Sequence, residues 1–187
     1  IFLLVDQCNA TTSCLFYQSA TSKTTAYGNT VWRGDAGTGG AMTAPGPLAY
    51  DPNTSRVFFF TLDGAGMRTL WSVPAKAVQA EATLIASDSA PPRAMAVDSE
   101  SVYWVTTDGH VKRTRKNADA GAVEIVGTHT FTSPAAIALG NQNIFIADQG
   151  GGSIVALNKA DGVAQVLSTN KAKPATLILT STQIVWA

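Results

Sequence analysis

Residues 94–105 read Ala-Met-Ala-Val-Asp-Ser-Glu-Ser-Val-Tyr-Trp-Val, an apolar run and an aromatic run separated by a polar turn. Each run is four residues long, which suits a short β-strand. Asp and Ser between the runs are residues that tight turns favour. The segment therefore predicts a β-hairpin.

The same hairpin pattern occurs five times along the chain. It recurs every 40 to 47 residues when it is anchored on the residue that closes the first run. The anchors are Asp6, Asp51, Asp98, Gly140 and Thr180. A repeat of this length is typical of propellers, in which each repeat is one four-stranded sheet, called a blade.

Prolines and glycines divide the repeat further. A proline precedes the first strand of the last four units, at Pro47, Pro92, Pro134 and Pro174. Proline cannot donate a ladder hydrogen bond, so it marks the connection that enters each unit. In the second, third and fourth units, a glycine turn and two more apolar segments follow the hairpin, so each of these units is predicted to have four strands.

These patterns predict an all-β chain, a β-propeller of four-stranded antiparallel blades with about four blades and the start of a fifth. We expect a single propeller region, residues 1–187, with units at about 1–46, 47–91, 92–133, 134–173 and a partial unit at 174–187. An open arc of blades exposes an apolar sheet face, so we expect further chain or a partner subunit to complete the ring.

Aromatic residues recur in the second strand of the units. At this position a blade packs against its neighbour, so we expect these rings to form core contacts. They include Tyr17, Phe59, Tyr103, Trp104, Phe145 and Trp186.

Two segments resemble known propeller repeats. Val-Tyr-Trp-Val-Thr at 102–106, followed by Gly109 and His110, resembles the YWTD-type repeat of extracellular receptors. Ile-Ala-Leu at 137–139, followed by Asn-Ile-Phe-Ile-Ala-Asp at 143–148, resembles the NHL-type repeat. The resemblance implies a six-bladed-type propeller, a fold that is usually a recognition scaffold and sometimes an enzyme.

The charge balance disfavours polyanionic partners. Thirteen Lys and Arg residues balance thirteen Asp and Glu residues, and only 14% of the chain is charged. No long-range field therefore attracts nucleic acid. The apolar runs are also much shorter than the ~20 residues of a membrane helix, so no transmembrane segment is predicted.

The two cysteines, Cys8 and Cys14, lie in the first predicted hairpin. A short connection between two strands can bring their Cα atoms within disulfide range. They form either a disulfide or a pair of unlinked small apolar residues. A disulfide indicates an oxidising compartment, which is a periplasm, a cell surface or the extracellular space. The glycosylation patterns that begin at Asn9 and Asn53 agree with secretion.

An acid recurs in the turn after the aromatic strand, at Asp63, Asp108 and Asp148. Together with His110, which can change charge near neutral pH, these acids form a candidate ligand-binding rim. The alternative is that Asp is simply a favourable turn residue, since it caps its own backbone.

Catalytic motifs are absent from the sequence. It contains no HExxH pattern, no Cys/His cluster and no Gly-x-Ser-x-Gly elbow, and its only histidines are His110 and His129. The sequence therefore predicts no catalytic residue, no metal site and no cofactor.

These features favour an extracytoplasmic recognition or structural module of a secreted or cell-surface protein, with a protein or a glycan as its ligand. The alternative is a propeller enzyme, lactonase-like or lyase-like, whose site lies in the central channel and is completed by blades outside this chain. The lack of catalytic motifs favours the recognition module, although a fold alone does not fix a function.

Overall fold

The computed structural model describes residues 2–9, 12–17, 29–35, 46–62, 67–75, 81–117 and 120–187. The chain forms two compact units, Ile1–Ser89 and Ala90–Ala187. Every regular element in the described ranges is a β-strand. Within these ranges, no helix has the length and apolarity needed to cross a membrane.

The first compact unit contains two antiparallel sheets. Sheet 1 has three strands, β1 (Phe2–Asn9), β2 (Thr12–Tyr17) and β3 (Asn29–Asp35). Sheet 2 has four strands, β4 (Leu48–Asp51), β5 (Arg56–Leu62), β6 (Arg68–Pro74) and β7 (Thr83–Asp88). In both sheets the strands pair in chain order.

The second compact unit contains three sheets. Sheet 3 is formed by β8 (Pro92–Val97), β9 (Ser101–Thr106), β10 (Val111–Arg115) and β11 (Glu124–Ile125). Sheet 4 is formed by β12 (Pro134–Leu139), β13 (Asn143–Asp148), β14 (Ser153–Asn158) and β15 (Ala164–Ser168). Sheet 5 is formed by β16 (Leu177–Leu179) and β17 (Ile184–Trp186).

The four-stranded antiparallel meander predicted from the repeat is confirmed in sheets 2, 3 and 4. Sheet 5 contains the two strands that were expected of the fifth unit. In sheet 1 the structure describes three strands, and the segment where a fourth was expected, up to residue 45, includes residues outside the described ranges.

Residues 122–126 read Ala-Val-Glu-Ile-Val, a run that suits the fourth strand of its unit, but strand β11 contains only two of these residues. The Thr114 hydroxyl donates a hydrogen bond to the carbonyl of Ala122 over 2.9 Å. That carbonyl is therefore satisfied by a side chain, and the ladder begins two residues later.

A hydrophobic core lies between sheets 3 and 4. Sheet 3 and its following connection contribute Tyr103, Val105, Val111, Val126 and Phe131, and sheet 4 contributes Ile144, Ile146, Val155 and Leu157. Each of these side chains is at most 5% exposed. Face-to-face packing of consecutive sheets is the arrangement that propeller blades require.

The predicted aromatic core is confirmed at Phe59, Tyr103 and Trp104, which are at most 4% exposed. Phe145 is half-buried. The prediction is wrong for Trp186, which is 39% exposed in the two-stranded sheet 5. The side chain of Tyr17 lies outside the described part of the structure.

The cysteines lie on neighbouring strands, Cys8 in β1 and Cys14 in β2. The register aligns Cys14 with Val5, and it shifts between Val5 and Asn9, next to Cys8. The cysteine side chains are outside the described part of the structure. The disulfide therefore stays a prediction.

Candidate functional site

The candidate site begins at the turn between β9 and β10. Thr106 ends β9, and its hydroxyl donates a hydrogen bond to Asp108 Oδ1 and accepts one from the backbone N–H of His110, at 3.3 Å from that nitrogen. The turn is closed by the Gly109 N–H, which donates to the Thr106 carbonyl over 3.0 Å. Since Thr106 itself is fully buried, the turn is anchored to the core of sheet 3.

Asp108 and His110 project from this turn toward solvent. The side chain of Asp108 is 51% exposed and that of His110 is 33% exposed, with 3.4 Å between Asp108 Oδ1 and His110 Nδ1. The hydrogen bond from Thr106 holds the pKa of Asp108 below its ordinary value of 3.8, and His110 and Lys112 lower it further. Asp108 is therefore a fixed, exposed negative charge at neutral pH.

A second segment, the connection between β11 and β12, docks against this turn. The Phe131 N–H donates to the Gly109 carbonyl over 2.8 Å. Gly109 has φ +84, and a Cβ there would lie 2.1 Å from the Phe131 carbonyl oxygen. Only glycine fits this conformation and this approach. The turn at 107–110 and the connection at 127–131 consequently form one continuous surface.

His129, the second histidine of the chain, lies in this connection. Its ring packs edge-on against Phe131, with 4.6 Å between the ring centroids. Phe131 is only 2% exposed. The imidazole is therefore positioned by a buried ring rather than by a hydrogen bond.

A cleft of about 540 Å³ opens beside the same connection. It is lined by residues 127–130 and by residues 161–164, which are the end of the turn between β14 and β15 and the first residue of β15. The two walls meet where Gly127 contacts Gly162, since a Cβ on either residue would lie 2.2 Å from the backbone of the other. Both glycines have positive φ, +74 and +70.

Asp148 does not join this surface as an exposed acid. It is 5% exposed, and its two carboxylate oxygens accept hydrogen bonds from the backbone N–H groups of Ser133, at 2.8 Å, and Thr132, at 3.0 Å. The side chain fixes the entry into β12. This geometry is that of a structural turn residue.

Asp63, the third turn acid predicted for the rim, lies outside the described residues. Of the predicted set, the structure thus brings Asp108 and His110 together and buries Asp148 at the end of another strand. His129 and Asp161, which line the cleft, were not predicted as site residues. The one signal for His129 in the sequence is the polar run Thr-His-Thr at 128–130, in a connection that is otherwise unremarkable.

A separate polar cluster joins sheets 3 and 4. Lys159 Nζ lies 2.7 Å from Asp98 Oδ2, with side-chain exposures of 15% and 22%, and 5.4 Å from the centre of the Tyr103 ring. Burial acts to raise the pKa of Asp98, but hydrogen bonds from Lys159 and from two backbone N–H groups lower it overall. Arg113 also donates to the Lys159 carbonyl, over 2.8 Å. We interpret this cluster as an inter-sheet brace.

The described residues contain no group of three or more His, Cys, Asp or Glu side chains placed to hold a metal ion. The surface built from 107–110 and 127–131 carries hydrogen-bonding groups and one exposed carboxylate, Asp108, which the Thr106 hydroxyl holds in place.

No protein-family model matches the sequence, and no curated protein matches it. Solved structures do match. A chain of the nidogen/laminin complex matches with a TM-score of 0.59 at 14% identity, over 79% of this chain and 52% of that chain. This chain therefore spans about half the length of that chain.

Two computationally designed proteins match as well. The chain resembles Ika4 with a TM-score of 0.57 at 15% identity, over 76% of this chain and 84% of that chain. It resembles Ika8 with a TM-score of 0.56 at 15% identity, over 98% of this chain and 54% of that chain. At these identities the likeness concerns the fold alone. Together with the successive four-stranded sheets, it shows that the chain has the β-propeller fold.

Proposed function

We propose that this protein is a recognition module of a secreted or cell-surface protein, and that it binds a protein or glycan ligand through the surface formed by residues 107–110 and 127–131. This surface is called the loop surface below. The observation that carries the proposal is Asp108, an exposed carboxylate held in one orientation by the buried Thr106.

Rigid support is what makes this surface suitable for binding. Loops that are positioned by a fixed scaffold vary without disturbing the sheets, and they commonly carry binding residues. Here the close approach of Gly109 to Phe131 locks two loops together before any ligand arrives. A preorganised surface loses little conformational entropy on binding, which increases affinity.

A chain of the nidogen/laminin complex, which is a complex between proteins, has a similar fold, so this fold is compatible with a protein-binding role. An extracytoplasmic location is supported by the predicted disulfide and by the resemblance to YWTD-type repeats. Ring completion by further chain or a partner subunit belongs to the same proposal.

The proposal can be tested by probing arrays of secreted proteins and of glycans with the purified chain. A double variant, Asp108→Asn with His110→Gln, keeps the acceptor for Thr106 and the size of both side chains while removing the carboxylate and the imidazole. We expect it to lose binding to the ligand that the unchanged protein selects, by at least about tenfold, which corresponds to about 1.4 kcal/mol.

The matched control is Glu81→Gln, which removes an exposed carboxylate from the other compact unit. It should bind as the unchanged protein does. If the double variant folds and binds every selected ligand with unchanged affinity, the loop surface is not the recognition site.

A further inference from the structure

We infer that the cleft lined by residues 127–130 and 161–164 binds a neutral sugar, as the glycan-binding part of the recognition surface. This inference rests on the proposed function, because the cleft shares its first wall with the loop surface. It adds the position of the ligand and its chemical class.

The cleft has the size and the fixed shape of a small-molecule site. Its volume of about 540 Å³ falls within the range of roughly 300 to 1,000 Å³ that such sites occupy. Contact between Gly127 and Gly162 fixes the distance between its walls. One wall belongs to the connection that follows sheet 3 and the other to sheet 4, and these two sheets share a core, so the fold sets the separation of the walls.

The walls carry hydrogen-bonding groups that the protein leaves unused. Among the described residues, no side chain or backbone group bonds to the side chains of Thr128, His129 or Thr130. Asp161 Oδ1 accepts the Val163 N–H over 3.0 Å, and its second carboxylate oxygen has no partner within the described ranges. Two hydroxyls, an imidazole and a carboxylate thus face ligand or solvent.

This set of groups selects for a polyhydroxylated, uncharged ligand. A carboxylate oxygen accepts hydroxyl protons from a sugar through strong, charge-assisted hydrogen bonds. Threonine hydroxyls both donate and accept, which matches sugar hydroxyl groups. The imidazole of His129, held edge-on by Phe131, provides a flat ring beside them.

Other ligand classes fit less well. No lysine or arginine lines the cleft, so an anionic ligand finds no counter-charge there. Valine and alanine, at 163 and 164, are the only apolar side chains in the lining, too few to hold a hydrophobic peptide side chain. A neutral sugar is the class that uses the groups present.

The test is an NMR titration of the ¹⁵N-labelled chain with four neutral sugars, glucose, galactose, mannose and N-acetylglucosamine, each up to its solubility limit. We expect at least one sugar to shift the backbone amides of residues 127–130 and 161–164 in a saturable way. Asp161→Asn keeps the acceptor for the Val163 N–H, and it should weaken that binding by about tenfold or more.

His129→Phe tests the hydrogen-bonding role of the imidazole, because a phenyl ring keeps the edge contact with Phe131 but has no nitrogen. It should weaken sugar binding, while Glu81→Gln should leave it unchanged. If no sugar shifts these amides, or if Asp161→Asn and His129→Phe bind the sugar as well as the unchanged protein, the inference is wrong. Protein binding that is lost in the Asp108→Asn, His110→Gln variant would still uphold the proposed function.

Discussion

At the scale of single residues, the turn acids that look alike in the sequence have different roles. Asp148 ends the second strand of its repeat and Asp108 comes two residues after the second strand of the repeat before it, and either can cap a turn. The sequence predicts that both lie in turns, but it cannot tell which one is buried. That depends on the segment before the next strand, because residues 132 and 133 wrap over Asp148 and use both of its oxygens.

Asp148→Asn should therefore destabilise the protein while Asp108→Asn should not. The amide introduced by Asp148→Asn would place an N–H₂ group against one of the two backbone N–H donors, in a site that is only 5% exposed. We therefore expect the free energy of unfolding to fall by about 1 to 3 kcal/mol. Because Asp108 is exposed, Asp108→Asn should change the free energy of unfolding by no more than about 0.5 kcal/mol. Urea unfolding of the two variants measures the difference, and equal stabilities would contradict the structural role of Asp148.

The ion pair between Lys159 and Asp98 allows a second prediction. Lys159→Met removes a charged hydrogen-bond donor from a partly buried carboxylate, and it should cost about 1 to 3 kcal/mol in the free energy of unfolding. Lys173→Met is the control, because Lys173 is exposed.

The effect of Lys159→Met should depend on pH. The folded state lowers the pKa of Asp98 below 3.8, so the charged carboxylate stabilises the fold above that value. This contribution is lost as the pH falls through the lowered pKa. Urea unfolding measures the free energy of unfolding of the unchanged protein and of the variant. The two values should differ strongly at pH 7 and only slightly near pH 2. An equal difference at both pH values would contradict the stabilising role of the ion pair between Lys159 and Asp98.

At the scale of elements, the hairpins are predictable because their signal is local and repeated. Apolar and aromatic runs with a polar turn between them specify strands β8 and β9 without reference to the rest of the chain. The start of strand β11 is less predictable, since a single Thr114 hydroxyl on a neighbouring strand binds the carbonyl of Ala122, two residues before the strand. The cleft could not be predicted, because residues 127 and 162 meet only when two sheets pack.

The hairpin of β1 and β2 carries the prediction of a Cys8–Cys14 disulfide. Mass measurement of the protein from its native compartment, before and after reduction and alkylation, should show two thiols that react only after reduction. By the loop-entropy argument, so short a loop adds only about 2 to 3 kcal/mol of stability. Two thiols that react without reduction would contradict the bond and weaken the case for an extracytoplasmic location.

At the scale of the whole molecule, comparison of the repeats identifies an exposed apolar face on sheet 5. Tyr103 pairs with Ala96 across sheet 3, and Val185 pairs with Ile178 at the corresponding place in sheet 5. Tyr103 is 4% exposed because sheet 4 covers it, whereas Val185 is 49% and Ile178 is 64% exposed. The proposed completion of the ring places another sheet on this face.

Ring completion predicts that the isolated chain associates through sheet 5 in a concentration-dependent way. Ile178→Ser with Val185→Ser should reduce that association, as measured by sedimentation velocity, because it removes exposed apolar area. Ile125→Ser, at an exposed position in sheet 3, is the control and should leave it unchanged. An unchanged chain that sediments as a monomer at every concentration would contradict the prediction.

Backbone hydrogen exchange shows whether ligand is recognised by the loop surface. The exchange of every amide should be compared with and without a ligand selected on the arrays. We expect protection on binding to be concentrated in residues 107–110 and 127–131. Protection confined to the opposite turns, such as 98–101 or 140–143, with none in the loop surface would contradict it.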